Sequence, residues 1–518
     1  MRAAWLLALL SRAARALNDG LARTPPMGWR SWNTFGANVD QQLMEETMVL
    51  VAARDRRVDG VPTSLCDLGY CDVGLDDGWQ LCGDYGPSHF TFHQPSGAPV
   101  VNRSRFPDFE AMTARAHALG LTAGWYLNNC ICADHCSGPE CYLGDIVALS
   151  EFGFDAVKLD GCSAEFDVGA YAKLIAGSGR GVVIENCHWG RTLPNSSWCP
   201  FHFYRTSTDI RPSYASVIAN LHTVVPLARA GLSSPGCWAY PDMLELGCPD
   251  GASGALSAAE SRAHFGAWCV SSSPLVLSHD LRNATIADAL WPLISNKEAI
   301  AINQAWAGGP GASGLPFARA DETLVLTDKF ATAVRVPAWE GWHKPLALDG
   351  SRVAVLLVNH ASAPASIELR FADVPRLGCA PRARGAEGGG AEGGGAEDGA
   401  GARAADGASC AVRVRDVWAR KDAGVFRDRY VVKWLAAHDA AFLELSRVPA
   451  SDAAGAGALV ASAQHGLLGS ALPLLVRLRG GVVEPSSHGH GLRALCASLA
   501  AAARGVARSA RALMAHAA

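Results

Sequence analysis

No stretch of the 518-residue chain stays apolar for long enough to cross a bilayer. Neither sign of charge dominates. The 45 basic residues stand against 49 acidic ones, a net charge of −4, which gives no reason to expect a nucleic-acid partner. No glycine fingerprint follows the first strand-like segment, so a doubly wound dinucleotide-binding sheet is the weaker alternative architecture. Cys130, Cys132, Cys136 and Cys141 lack the paired CxxC spacing of a structural zinc site. What is present is an ordinary globular mixture, 49% hydrophobic and 18% charged, in a chain too long for one small core.

The first residues, "MRAAWLLALLSRAARALNDG", have the layout of a secretory signal. Arg2 is the basic start, Ala3 to Leu10 a short apolar core, and "ARA" before Leu17 a small-residue cleavage site, giving a leader over 1–16. Sequons at Asn102, Asn195 and Asn283 agree with that route. A soluble protein of the secretory pathway, extracellular or lysosomal/vacuolar, is therefore expected. In such a compartment the 16 cysteines read mostly as disulfides.

From about residue 24 to 310 one unit repeats: a short apolar segment ending on polar or aromatic residues, then a helical pattern. The segments are "PMGWRSWN", "YCDVGLDDGW", "LTAGWYLNN", "FDAVKLDGC", "GVVIENCHW", "FYRTSTD", "GCWAYPDM" and "SPLVLSHDL". Amphipathic stretches such as "QQLMEETMVLVAARD" and "FEAMTARAHALG" lie between them. "SAAESRAHFGAWCV" opens with a capping box from Ser257 to Glu260, and Gly60 and Gly120 stand where helices would stop. Eight alternations over roughly 250–300 residues predict a (β/α)8 TIM barrel over 17–315, with its chemistry at the C-terminal strand ends. Asp76, Asp77, Asp160, Asp209 and Asp242 all fall there.

The segment "VKLDGCSAE" poses a question of its own. Side chains alternate along a strand, so Lys158 and Asp160 point the same way, and a cation beside a carboxylate keeps it ionised. An ionised carboxylate at a strand end is a candidate nucleophile; half of a structural ion pair is the other reading. Taken singly, Trp32 reads as core more often than as a binding platform, Tyr126 is ambiguous, and Asp76–Asp77 would suit a helix cap.

After about residue 320 the texture changes to short alternating runs, among them "TLVLTD", "RVAVLLVNH", "CAVRVRDVWA" and "AAFLELS". These predict an antiparallel β-domain over 316–446, interrupted at about 382–408 by a Gly/Ala/Glu tract that cannot bury a core. Residues 447–518 form an Ala/Arg-rich tail with no chemical role apparent.

The motifs "TPPMGWRSWNTF", "DDGW", "KLDGC", "CHWG", "RTSTD", "PDM" and "SPLVLSHDLRN…AINQ", in this order, resemble glycoside hydrolase family 27, the α-galactosidase and α-N-acetylgalactosaminidase family. The resemblance implies a barrel followed by an antiparallel β-sandwich and a retaining mechanism without metal or cofactor. Asp160 matches the nucleophile and Asp209 the general acid/base. Asp76 and Asp77 match the pair that grips galactose hydroxyls at carbons 4 and 6. Trp32, Tyr126, Lys158, Arg205, Asp242 and Met243 match other lining positions. It further implies that Cys162 bonds Cys132 or Cys136, and Cys187 bonds Cys199.

Physical chemistry adds conditions to that assignment. Asp160 must be ionised, which Lys158 would favour; Asp209 must be protonated, which burial or the negative charge of Asp160 and Asp242 would favour. The sequence departs from the family in two places. His188 stands at the position that reads carbon 2, where α-galactosidases have glutamate and the N-acetyl enzymes small residues. Tyr240 replaces an aspartate before "PDM". A bulky, hydrogen-bonding His188 leans toward a free 2-hydroxyl. The expected activity is hydrolysis of terminal α-galactosyl residues, with an α-galactoside as the only partner implied. An α-N-acetylgalactosaminidase, an arabinopyranosyl-specific relative and a non-catalytic carbohydrate-binding barrel are the alternatives. Oligomeric state is left open, with a homodimer among the options.

Overall fold

Each of the eight apolar segments forms one strand: β1 (Met27–Arg30), β2 (Asp72–Gly74), β3 (Thr122–Leu127), β4 (Ala156–Asp160), β5 (Val183–Cys187), β6 (Phe203–Arg205), β7 (Trp238–Tyr240) and β8 (Leu275–Leu277). The computed structural model describes residues 17, 19–128, 130–162, 164–249, 256–379 and 410–448. The expected leader, the Gly/Ala/Glu tract and the tail beyond residue 448 lie outside the described residues.

The strands are parallel and pair in sequence order, with β8 returning to β1 through Met27↔Leu275. Between β7 and β8 the ring is completed by the Leu244 amide, which donates to the Val276 carbonyl at 2.8 Å. Both faces of such a sheet are covered, which is why these strands read as apolar runs instead of alternations. The covering helices are α1 (Gln41–Ala52), α2 (Phe109–Ala118), α3 (Pro139–Glu151), α4 (Val168–Ser178), α5 (Tyr214–His222), α6 (Ala258–Val270), α7 (Ala284–Ile294) and α8 (Lys297–Gln304). The Ser257–Glu260 capping box starts α6 as expected. Gly120 follows α2 at φ 75°, whereas α1 ends at Ala52 and Gly60 turns a small hairpin between Arg56–Val58 and Val61–Thr63.

A second, antiparallel domain follows: β9 (Leu315–Arg319), β10 (Thr323–Thr327), β11 (Ala333–Pro337), β12 (Trp339–Pro345), β13 (Arg352–Asn359), β14 (Ala365–Arg370), β15 (Ala411–Asp416), β16 (Lys421–Arg427), β17 (Arg429–Leu435) and β18 (Ala440–Arg447). Its six-stranded sheet runs β9-β12-β13-β18-β15-β16, with β14–β17 and β10–β11 as separate pairs. Val353, Val355, Leu357, Ile367, Leu369 and Leu445 share one core between the large sheet and β14.

The barrel leans on this domain through α6. Gly266 permits the approach, because a Cβ there would come within 2.6 Å of Leu356 Cδ1. Arg262 on α6 clasps Asp439 with two bonds of 2.9 and 2.5 Å, and the buried Lys344 ammonium donates to the last carbonyls of α8, at Ile302 and Asn303.

Candidate active site

One cavity of about 650 Å³ opens at the C-terminal ends of the barrel strands. Trp32, two residues past β1, lines it with Asp76 and Asp77 from beyond β2, Tyr126 from β3, and Lys158 and Asp160 from β4. Arg205 closes β6, Asp209 follows four residues later, and Asp242 and Met243 follow β7. Ten of the expected site residues therefore meet in one cleft, drawn from positions more than 200 residues apart.

Asp160 is buried and held by both oxygens: Oδ2 accepts from Tyr126 Oη at 3.0 Å and Oδ1 from the Gly161 amide at 2.6 Å. Lys158 is 4.0 Å from it but only 2.8 Å from Asp76, so the lysine belongs first to Asp76. Lys158 acts on Asp160 in the expected direction, toward the ionised form, but from the longer distance. Burial raises the Asp160 pKa, and Lys158 opposes that without reversing it. Lys158 itself stays charged although burial works against it, because Asp76, Asp160 and Glu185 surround it.

Asp76 also orders Asp77. Its Oδ1 accepts the Asp77 amide at 2.9 Å, while Asp77 accepts the Gly78, Cys130 and Ile131 amides at 2.8, 3.1 and 3.1 Å. Burial and the Asp76 charge push Asp77 up to about 6. Adjacent acids at a strand end thus cap the loop after β3 and still face the cleft.

Asp209 behaves differently from its expected state. Burial acts to raise its pKa, but Arg205 at 3.0 Å and the Trp189 indole N–H at 2.9 Å outweigh that and lower it. The negative charge expected from Asp242 is cancelled because the same guanidinium sits 2.8 Å from Asp242. Asp242 adopts φ 93°, fixed by the Ile210 and Met243 amides donating to its two oxygens at 2.9 and 2.8 Å. A non-glycine residue held there by three partners is a strained position of the kind found at working sites.

His188 does not line the cavity. It is buried, its Nδ1 lies 2.8 Å from Thr192 Oγ1, and its ring packs against Phe166. Burial lowers it to about 4, so it is neutral. The cause is the backbone: Trp189 and Gly190 are both left-handed, at φ 49° and 77°, and this turn points Trp189 into the cleft and His188 beneath it. Trp189, Asn33 and Glu245 are lining residues that the sequence reading missed. Glu245 accepts from Asn33 Nδ2 at 2.7 Å and is pushed up to about 8 by burial and by Asp242. "DMLEL" carries no local signal for this.

The disulfides also differ. Cys162 pairs with Cys130, while Cys132 pairs with Cys82 and Cys136 with Cys141. Leu127 and Leu159 are register partners, so β3 and β4 leave the barrel side by side, and Cys130 and Cys162 are the first cysteines each chain reaches. Cys199 pairs with Cys237, and Cys187 is a buried thiol that accepts from Arg205 Nη1 at 3.3 Å. Cys187 ends β5 at the top of the barrel, whereas Cys199 and Cys237 precede β6 and β7 at the bottom. About 13 Å of strand separates the two levels.

Comparison with known proteins places this geometry. Residues 24–305 match the family model described as alpha galactosidase A, and residues 337–445 match the alpha galactosidase C-terminal beta sandwich domain. Alpha-galactosidase 3 of Arabidopsis thaliana is 30% identical over 364 residues, covering 68% of this chain and 72% of that protein. Among solved structures, α-galactosidase I of Mortierella vinacea superposes with a TM-score of 0.60 at 23% identity, over 83% of this chain and 98% of that one. A family 27 β-L-arabinopyranosidase of Geobacillus stearothermophilus gives 0.59 at 18%, over 83% and 97%.

Proposed function

The chain belongs to the α-galactosidase family of glycoside hydrolases, and from that premise we propose that it removes terminal non-reducing α-D-galactosyl residues by double displacement at Asp160. The observation that carries this reading is the convergence of Asp160, Asp209 and the Asp76–Asp77 pair on one cavity.

In the first step an Asp160 oxygen attacks carbon 1 while the Asp209 proton passes to the glycosidic oxygen. The carbon–oxygen bond breaks and a galactosyl ester forms on Asp160. In the second step Asp209 takes a proton from water, the water oxygen attacks carbon 1, the bond from carbon 1 to the Asp160 oxygen breaks to return the carboxylate, and galactose leaves with its original configuration. Tyr126 and the Gly161 amide orient the nucleophile by holding one lone pair on each oxygen. Asp76 and Asp77, backed by Lys158, offer acceptors for axial and primary hydroxyls. In the free site Arg205 and Trp189 favour ionised Asp209, so the reactive protonation state gains population as pH falls. At the end of β5 the bulky Trp189 lines the cavity, which supports a free 2-hydroxyl over an acetamide. Six disulfides among the described residues support an oxidising compartment.

Labelling with a 2-fluoro-galactosyl fluoride, followed by peptide mass spectrometry, tests the assignment. A galactosyl adduct on Asp160, lost in Asp160→Ala together with turnover of an aryl α-galactoside, is expected. An adduct elsewhere, or faster turnover of the 2-acetamido substrate, would overturn it.

A further inference from the structure

The mouth of the cavity is not built by the barrel alone. Lys329 and Phe330, at the tip of the β10–β11 hairpin, line it together with Arg211 and Pro212 of the loop after β6. Residues 323–336 of this hairpin fall between the two segments that match the family models, so its role does not come with the family. Two strands alone are marginal in water. These two are held because their residues alternate: Leu324, Leu326, Val334 and Val336 turn inward and pack on the main core beside α5, while Val325 is 55% exposed. The tip is tied as well. Ser213 Oγ donates to the Asp328 carboxylate, which accepts the Phe330 and Thr332 amides at 2.9 and 2.8 Å. The Arg211 guanidinium lies over the Phe330 ring, 5.8 Å from its centroid. A segment fastened along its strands and again at its tip is a fixed wall to the cavity.

Arg211 lies two residues beyond Asp209, the group assigned to protonate the leaving oxygen. The wall therefore stands on the leaving-group side of the mouth. A leaving sugar inside a chain carries further sugars at two positions and needs open space on both flanks. An end sugar carries them at one. A wall along one flank obstructs the first and leaves one orientation open to the second, which is discrimination by clash. We propose that the hairpin tip, with Phe330 as its wall residue, is a specificity determinant of this enzyme. It admits α-galactosyl residues borne by the end sugar of an oligosaccharide and excludes those that branch from inside a chain. The inference rests on the reading of Asp160 and Asp209 given above.

Three isomers of α-galactosyl-(1→6)-mannotriose test it, with galactose on the first, the middle or the last mannose. They share the bond that is broken and differ only in where the chain continues. At least one end isomer should have a kcat/KM about tenfold or more above that of the middle isomer. Thr327 and Ala333 are register partners, so residues 328–332 can be replaced by a two-residue Asn-Gly turn that keeps the strands paired. The shortened chain should bring the ratio to within roughly threefold of one. Phe330→Ala leaves the Asp328 bonds in place and should lower the ratio at least roughly threefold; it decides the matter alone if the shortened chain has no cooperative thermal melt. A smaller preference in the wild type, or one that survives both changes, would overturn the inference while leaving galactoside hydrolysis standing. No turnover of any isomer or of an aryl α-galactoside would remove both together.

Discussion

Arg205 stands between Asp209 and Asp242 at 3.0 and 2.8 Å, and of the groups that hold Asp209 ionised against burial it acts most strongly, with Lys158 adding to it. The Trp189 indole adds a second donor to the same Asp209 oxygen. Removing that donor destabilises the carboxylate, so Trp189→Phe should raise the Asp209 pKa. The alkaline limb of kcat/KM, set by loss of the Asp209 proton, should then move to higher pH. A pH–rate profile in which the limb stays in place would exclude Trp189 as a determinant. At this scale the sequence was legible where a motif brings a residue to the rim at or just beyond a strand end, as with Asp160 and Asp209, which both line the cleft. It was not legible where backbone handedness decides, as with His188 and Trp189, because a positive φ at tryptophan has no composition signal. Glu245 was hidden for another reason: it enters the cleft through loop geometry after β7 that no periodicity encodes.

The paired exits of β3 and β4 carry both Asp160, the proposed nucleophile, and the Cys130–Cys162 bond. The bond closes a loop of sequence separation 32, and its loss should cost about 2–4 kcal/mol of stability. The Cys130 and Ile131 amides also hold Asp77 in place. Replacing both cysteines by serine should therefore lower Tm and raise KM more than it lowers kcat. An unchanged Tm in calorimetry would show that the loop is held without the bond. The barrel strands were readable because burial on two faces makes them uniformly apolar. Strand β12 was not, since "WEGWHKP" is buried almost throughout yet mixes charge, aromatics and proline. Strand β16, "KDAGVFR", has no buried residue and so no pattern to detect.

The two domains meet partly through ionisable groups. His222 on α5 lies 3.0 and 3.2 Å from the carboxylate of Glu340 on β12. Burial alone would lower the His222 pKa, but Glu340 reverses this and raises it; burial would raise Glu340, but His222 and His360 hold it well below the usual carboxylate range. A raised histidine contributes fully below its unfolded value of 6.5 and loses that contribution as pH climbs through the folded value. A depressed glutamate contributes above 4.5 and loses it as pH falls through its folded value. The pair is therefore strongest from about pH 4.5 to 6.5. The Tm difference between the wild type and His222→Gln should peak in that window and shrink toward pH 9. Equal differences at pH 5.5 and 9 in thermal melts would contradict the pairing. The division into barrel and β-domain was visible as a change of texture near residue 320, but contacts between the two were not, because each joins residues with no local relation.

The left-handed turn at Trp189 and Gly190 has a practical consequence for anyone redesigning sugar preference. The motif "NCHWG" marks position 188 as the obvious place to diversify, yet a library made there would disturb the buried packing of His188 against Phe166. Variation one step further along the backbone is what substrate would feel.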